Sequence, residues 1–240
     1  MLRLRGVAMA YGAVQALRGV DVDVNAGEVL ALCGDNGAGK SSLVKILAGA
    51  QMPTSGTIEL DGAPVAFRSP QDALRRGVAT IYQDLAVAPR LSIWQNVFLG
   101  SELTTRLGLL DKHAMAEASR AFLARLAVSI ADMDTPVESL SGGQRQAVAI
   151  CRALRWDARI IIMDEPTAAL GVKETAQVLD LIRRLHGEGR TVILVSHAMQ
   201  DVVAVADRVV ILKAGRKVHD RPLAGLSPGD LAALIMREAA

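Results

Sequence analysis

Residues Gly34-Asp35-Asn36-Gly37-Ala38-Gly39-Lys40-Ser41 satisfy the spacing G-x-x-x-x-G-K-[ST], and few features narrow the fold of a chain so far. Each part of the pattern has a physical job. Gly37 and Gly39 allow backbone conformations, and a close approach to an anion, that a Cβ would hinder. The N–H groups left exposed along such a loop can surround phosphate oxygens, helped by the positive end of the helix that follows. Lys40 adds a point charge for β- and γ-phosphates, and the Ser41 hydroxyl can ligate Mg²⁺. An ordinary glycine-rich turn can share the spacing by chance. Here it lies between the apolar run Val29-Leu30-Ala31-Leu32-Cys33 and a segment in which Leu43, Ile46 and Leu47 recur at helical spacing. Strand, loop and helix in that order point to nucleotide binding.

The rest of the chain extends this strand–helix grammar. Leu2, Leu4 and Val7, then Val20, Val22 and Val24, alternate as in strands, with Gly12 and Gly27 as turns. Gly56 to Leu60 and Val78 to Tyr82 read as further strands, and Pro70 to Arg76 as a short helix. From Ser92 to Trp156 the pattern is mostly helical, with helices expected at 111–127 and 143–156 around a looped stretch near Pro136. Strands at Ile160–Met163, Thr191–Val195 and Val209–Leu212 then flank a helix at 173–186, and Pro228 onward reads as a closing helix. The pattern predicts a parallel α/β core carrying an inserted helical subdomain.

Composition excludes several classes. Charged residues make up 22% and hydrophobic ones 51%, as in a water-soluble globular chain of 240 residues. A net charge of +2 with no concentrated basic run argues against nucleic acid as a partner; Arg75-Arg76 and Arg183-Arg184 read as solvated helix faces. No secretion signal or membrane-spanning run is evident, so any membrane span is expected from another chain. Cys33 and Cys151 sit in apolar runs and read as buried thiols. The histidines His113, His186, His197 and His219 show no metal-ligand spacing.

Two further constellations carry chemistry. Ile160-Ile161-Ile162-Met163 ends in Asp164-Glu165, and acidic residues at the carboxyl edge of a parallel sheet face the ligand crevice. Asp164 suits a partner for Mg²⁺ and Glu165 suits a base that polarises an attacking water. Leu140-Ser141-Gly142-Gly143-Gln144 opens a helix in a way that could cradle a second anion, or could be a plain N-capped start. One nucleotide needs a single phosphate loop. A second cradle therefore raises the question of whose phosphate it holds.

Taken together, these runs resemble the ATP-binding subunit of an ABC transporter over nearly the whole chain, from Tyr11 to His197 at least. The resemblance implies a P-loop NTPase core with a mostly parallel sheet, N-terminal antiparallel β strands and an inserted helical subdomain. Residues 1–240 would form a single ATPase domain, with 1–90 and 159–240 as the ATP-binding core and 91–158 as the helical subdomain. ATP and Mg²⁺ are the implied ligands. Tyr11 would stack on adenine, the loop from Gly34, Asp35, Asn36, Gly37, Ala38 and Gly39 to Lys40, Ser41 and Ser42 would hold the phosphates, and Gln83 would sit at the Mg²⁺ and the attacking water. Ser141, Gly143 and Gln144 would clamp the γ-phosphate of ATP on a second copy, and His197 would contact the γ-phosphate as a switch. Glu165, His197 and Gln83 would form the catalytic set, and Ser41, Gln83 and Asp164 the metal set.

The same resemblance implies partners: a homodimer of this chain, two transmembrane permease subunits and, indirectly, a solute-binding protein, with the chain peripheral at the cytoplasmic face. The stretch Gln83-Asp84-Leu85-Ala86-Val87-Ala88-Pro89 and the helix carrying Trp94, Val97 and Phe98 are expected at the permease contact; core packing of Trp94 and Phe98 is an equal alternative. After Pro166-Thr167-Ala168-Ala169-Leu170 most ABC subunits carry Asp, whereas this chain has Gly171, which implies a modified coupling between the two sites. Tyr82-Gln83-Asp84-Leu85-Ala86, the run from Thr167 to Glu174, and Ser196-His197-Ala198-Met199 are similar to bacterial importers of monosaccharides such as fructose, ribose or xylose. The rival expectations are a soluble ABC-type ATPase outside transport and a regulatory module that uses ATP only to dimerise.

Overall fold

A computed structural model describes residues 1–168 and 170–237; Ala169, inside the Pro166–Leu170 run, and the last residues of the tail, 238–240, lie outside the described residues. The runs that are apolar on both faces become the middle of a sheet. β3 (Val29–Cys33), β7 (Ile160–Asp164) and β8 (Thr191–Val195) are buried along almost their whole length, as parallel strands covered on both sides require. With β6 (Val78–Ile81), β9 (Arg208–Lys213) and β10 (Arg216–Pro222) they form a six-stranded sheet in the order β10-β9-β3-β8-β7-β6. Every neighbouring pair is parallel except β9–β10.

The alternating N-terminal segments form a separate antiparallel sheet, β2-β1-β4-β5, from β1 (Leu2–Tyr11), β2 (Val14–Val24), β4 (Ser55–Leu60) and β5 (Ala63–Val65). Its inward residues Leu2, Leu4, Val7, Val20 and Val22 share one core with the loop-following helix α1 (Lys40–Leu47) and with β3. That shared core seats the phosphate loop between the two sheets.

Helices α2 (Pro70–Arg75), α3 (Ile93–Phe98), α4 (Lys112–Arg125) and α5 (Gly142–Arg155) are each capped by a side chain, from Ser69, Ser92, Asp111 and Ser141 in turn. The last three of these pack on one another, and α5 packs on α6 (Val172–Gly187). Trp94 and Phe98 are buried in this core, which decides between the alternatives for them in favour of packing. The chain closes with α7 (Met199–Val205) and α8 (Pro228–Arg237). No helix among the described residues is long and apolar enough to cross a membrane. Cys33 and Cys151 are buried free thiols, and burial pushes the Cys33 thiol up to about 12.

Candidate functional site

Parallel strands deliver their C-terminal ends to one edge, and the acidic, amide and histidine residues singled out above arrive there. β3 leads into the phosphate loop, β6 into Tyr82 and Gln83, β7 ends at Asp164, and β8 leads to Ser196 and His197.

Backbone space explains the glycines of the loop. Gly37 and Gly39 both have positive φ, 81° and 105°. A Cβ on Gly39 would also stand 2.6 Å from the Ala16 carbonyl oxygen of β2, so the hairpin presses directly on the loop. Gly39 is the N-cap of α1 and supplies no side-chain acceptor, and the first turn holds no acidic residue. Among the described residues no acceptor is bonded to the N–H groups of Gly39, Lys40, Ser41 or Ser42. A helix start left in this condition is a site for an external anion. Lys40 Nζ spans the loop, donating to the carbonyls of Gly34 at 2.6 Å and Asp35 at 3.0 Å. Those carbonyls hold the ammonium where a phosphate oxygen could take it over.

Opposite the loop, burial and the adjacent Glu165 charge push the Asp164 carboxyl above the usual aspartate value, against the pull of Lys40 and Lys45. Burial likewise raises the Tyr82 phenol, with Asp164 adding to the effect. Glu165 has φ 51°, a left-handed conformation rare for a side-chain-bearing residue, and its N–H donates to Val195 at 2.9 Å. The strained turn swings its carboxylate to His197, whose Nδ1 lies 2.9 Å from Glu165 Oε2. Glu165 is mostly buried, with its side chain 17% exposed, whereas His197 is open to solvent at 73%. A bond from Thr167 Oγ1 to Asp201 at 2.7 Å ties the segment after Glu165 to α7. Spacing alone gave no sign of that tie, because it joins a loop to a helix 34 residues away.

Tyr11 closes the β1–β2 hairpin, partly exposed, with its hydroxyl bonded to Gln51. The same hairpin carries Ala16, whose carbonyl faces Gly39 of the loop. Ser41, Gln83 and Asp164 offer only oxygen donors, one hydroxyl, one amide and one carboxylate. That donor set, with a carboxylate already destabilised by burial and by its neighbour, fits a hard divalent cation.

Among the described residues, no hydrogen bond brings Ser141, Gly143 or Gln144 to this cluster. They open α5, where Ser141 and Gln144 close a capping box on each other. The Gly142 N–H donates to Glu174 Oε1 at 3.0 Å. The Gly143 N–H has no acceptor among the described residues, and with the Ser141 hydroxyl it is what remains for an outside anion.

Fold and phosphate loop together define a P-loop nucleotide-binding protein. Residues 17–168 match the pattern of the ABC transporter family. The chain is 47% identical over 221 residues to the xylose/arabinose import ATP-binding protein of Sulfolobus acidocaldarius, covering 92% of this chain and 88% of that one. It is 46% identical over 226 residues to the fructose import ATP-binding protein of Rhizobium meliloti, covering 91% and 86%. A ribose import ATP-binding protein of Streptomyces coelicolor is 43% identical over 96% of this chain, which matches 46% of its length. Among solved structures, a dimeric ATP-binding cassette in a post-hydrolysis state with ADP and Pi superposes with a TM-score of 0.78 at 26% identity, over 94% of this chain and all of the other. The chain belongs to the ABC transporter family, as its ATP-binding and ATP-hydrolysing component.

Proposed function

We propose that this chain powers uptake of a sugar, gripping ATP between two copies of itself at the cytoplasmic face of a membrane and driving two permease subunits fed by a solute-binding protein. The sugar reading rests on relatives named for xylose/arabinose, fructose and ribose import at 43–47% identity along most of the chain. Residues 1–90 and 159–240 act as the nucleotide core and 91–158 as a helical lobe carrying the second half-site.

The observation that carries the hydrolytic role is the Glu165–His197 contact at the end of β7, beside an uncapped phosphate loop. ATP phosphates lie on the N–H groups of residues 34–42 with Lys40 on the β- and γ-phosphates, while Tyr11 stacks on adenine. Ser41, Gln83 and Asp164 hold Mg²⁺, which supplies neutralisation of the developing phosphate charge when bound. Glu165 accepts the proton of the attacking water, and its burial keeps competing solvent from the carboxylate. His197, exposed and touching Glu165, reads the γ-phosphate from the other side. Ser141, Gly143 and Gln144 of the second copy complete the grip.

The permease docks beside Gln83. A cavity of about 410 Å³ lies there, with Leu74, Tyr82, Leu85, Leu99, Arg152 and Trp156 among its lining residues. Its walls include α2, β6 with the segment after it, and α5, so an inserted element would touch Tyr82, the neighbour of Gln83 in sequence, and the helix opened by Ser141 together.

Glu165→Gln tests the base. The variant should keep ATP, release phosphate at least roughly a hundredfold more slowly, and sediment as a dimer in ATP. Parent-level phosphate release would remove Glu165 from this role. For the cargo, cells lacking the chain should lose uptake of xylose, arabinose, fructose or ribose. Undiminished uptake of all of these would overturn the sugar reading.

A further inference from the structure

The start of α5 and the start of α6 are joined by one side chain. Glu174 Oε1 accepts the Gly142 N–H at 3.0 Å, and its Oε2 accepts the Gly171 N–H at 3.2 Å. Gly142 is the first residue of the helix that opens the second half-site, and Gly171 is the N-cap of α6, directly after the segment that follows Glu165. The two segments are also in close steric contact: a Cβ on Gly142 would stand 2.5 Å from Leu170 Cδ2. The two N–H bonds hold the Glu174 carboxyl below the usual glutamate value, and Arg145 favours its charge further.

We propose that Glu174 is a positioning residue that locks the Ser141–Gln144 half-site to the Glu165 half-site of the same protomer. This rests on the two-copy reading above, in which the first half-site grips the neighbour's ATP and the second attacks the chain's own. The geometry follows from hydrogen-bond bookkeeping. With the Gly142 N–H taken by Glu174 and the Gln144 N–H by Ser141, the free N–H of Gly143 is aimed by its neighbours' bonds. Shifting the segment after Glu165 pulls on Gly171, on Glu174 and so on the α5 N-terminus. Arrival of a neighbour's phosphate at α5 is transmitted by the same route in reverse.

The test uses the full chain carrying Glu165→Gln, with ATP-driven dimerisation measured by sedimentation. Glu174→Ala removes both bonds. Glu174→Asp keeps a carboxylate in the first turn of α6, which supports that helix, but is one methylene too short to reach both N–H groups. Both are expected to weaken the ATP-dependent dimer roughly tenfold, the worth of a hydrogen bond to a charged group. ATP affinity of the monomer should stay within about twofold, because Lys40 and its loop are untouched. The Asp variant, which keeps the helix-supporting charge, should melt above the Ala variant yet dimerise no better than it. A purely structural role would make dimerisation follow melting temperature, so an Asp variant that dimerises like the parent overturns the proposal. A Glu165→Gln chain that stays monomeric at saturating ATP overturns the two-copy reading itself, and the coupling with it.

Discussion

The chain starts two helices on glycine-rich turns and treats their unpaired N–H groups in opposite ways. At α1 the N-cap is Gly39, no side chain among the described residues accepts the first-turn N–H groups, and Lys40 reaches back over the loop. At α5 a capping box of Ser141 and Gln144, with Glu174 beside it, takes most of the same groups. The first is an open cradle with its own cation. The second is largely closed and keeps one N–H and one hydroxyl for an outside oxygen. A helix start exposes a fixed set of donors, so how many are spent internally decides whether it can bind a polyphosphate alone or only complete a site built elsewhere. The asymmetry suits the composite site proposed above between two copies of this chain.

The strongest way to break this comparison is at the open cradle. Lys40→Ala removes a charge-assisted contact and should weaken ATP binding to the isolated monomer roughly 10- to 100-fold by calorimetric titration. Unchanged affinity would mean that the open turn is not the phosphate site. At the closed turn the expected effect is smaller and of another kind. In Gly143→Ala the added Cβ stands 2.5 Å from Gln177 Oε1, the end of a flexible side chain that can swing aside. Monomer affinity for ATP should be unaltered, while ATP-dependent dimerisation of the Glu165→Gln chain falls about tenfold as the one free N–H is crowded. Loss of monomer affinity in Gly143→Ala would show that both turns serve one nucleotide within one chain.

The open cradle was legible in the sequence and the closed one only in part, and locality is the reason. Gly34 to Ser41 encode their own conformation over eight consecutive residues, and the flanking strand and helix follow from Val29–Cys33 and from Leu43, Ile46 and Leu47. The apolar strands were equally readable: Thr191–Val195 is β8, and Ile160–Met163 is β7 short of its final Asp164. β10 was not legible, because Arg-Lys-Val-His-Asp-Arg-Pro has no apolar stripe; its pairing is imposed by β9 through the turn at Ala214 and Gly215. α7, at seven residues, is too short to display a periodicity. Ser141, Gly143 and Gln144 could be picked out, but the acceptor that spends the Gly142 N–H is Glu174, 32 residues away. Tertiary bonds of that separation leave no spacing to read, and the same holds for Thr167 with Asp201.

The smallest effects sharpen the comparison through stability, where the two regions should respond with opposite sign. Ser141→Ala deletes a satisfied cap and should cost about 1 kcal/mol in thermal or urea unfolding of the nucleotide-free chain. Asp164→Asn should instead stabilise it modestly. Burial and Glu165 raise the Asp164 carboxyl in the folded chain above its unfolded value, so the ionised form is the one the fold disfavours. A raised carboxyl contributes its full stability below the unfolded value and loses it as pH rises through the folded one. The advantage of Asn should therefore be present at neutral pH and shrink as pH falls toward the ordinary aspartate range. Melting curves of parent and variant across that window give the answer, and parallel curves at every pH would mean that the open site stores no such penalty. Mg²⁺ with nucleotide should reverse the ranking, since a bound cation rewards the charge that the empty fold disfavours, and an Asn amide gives it less to hold.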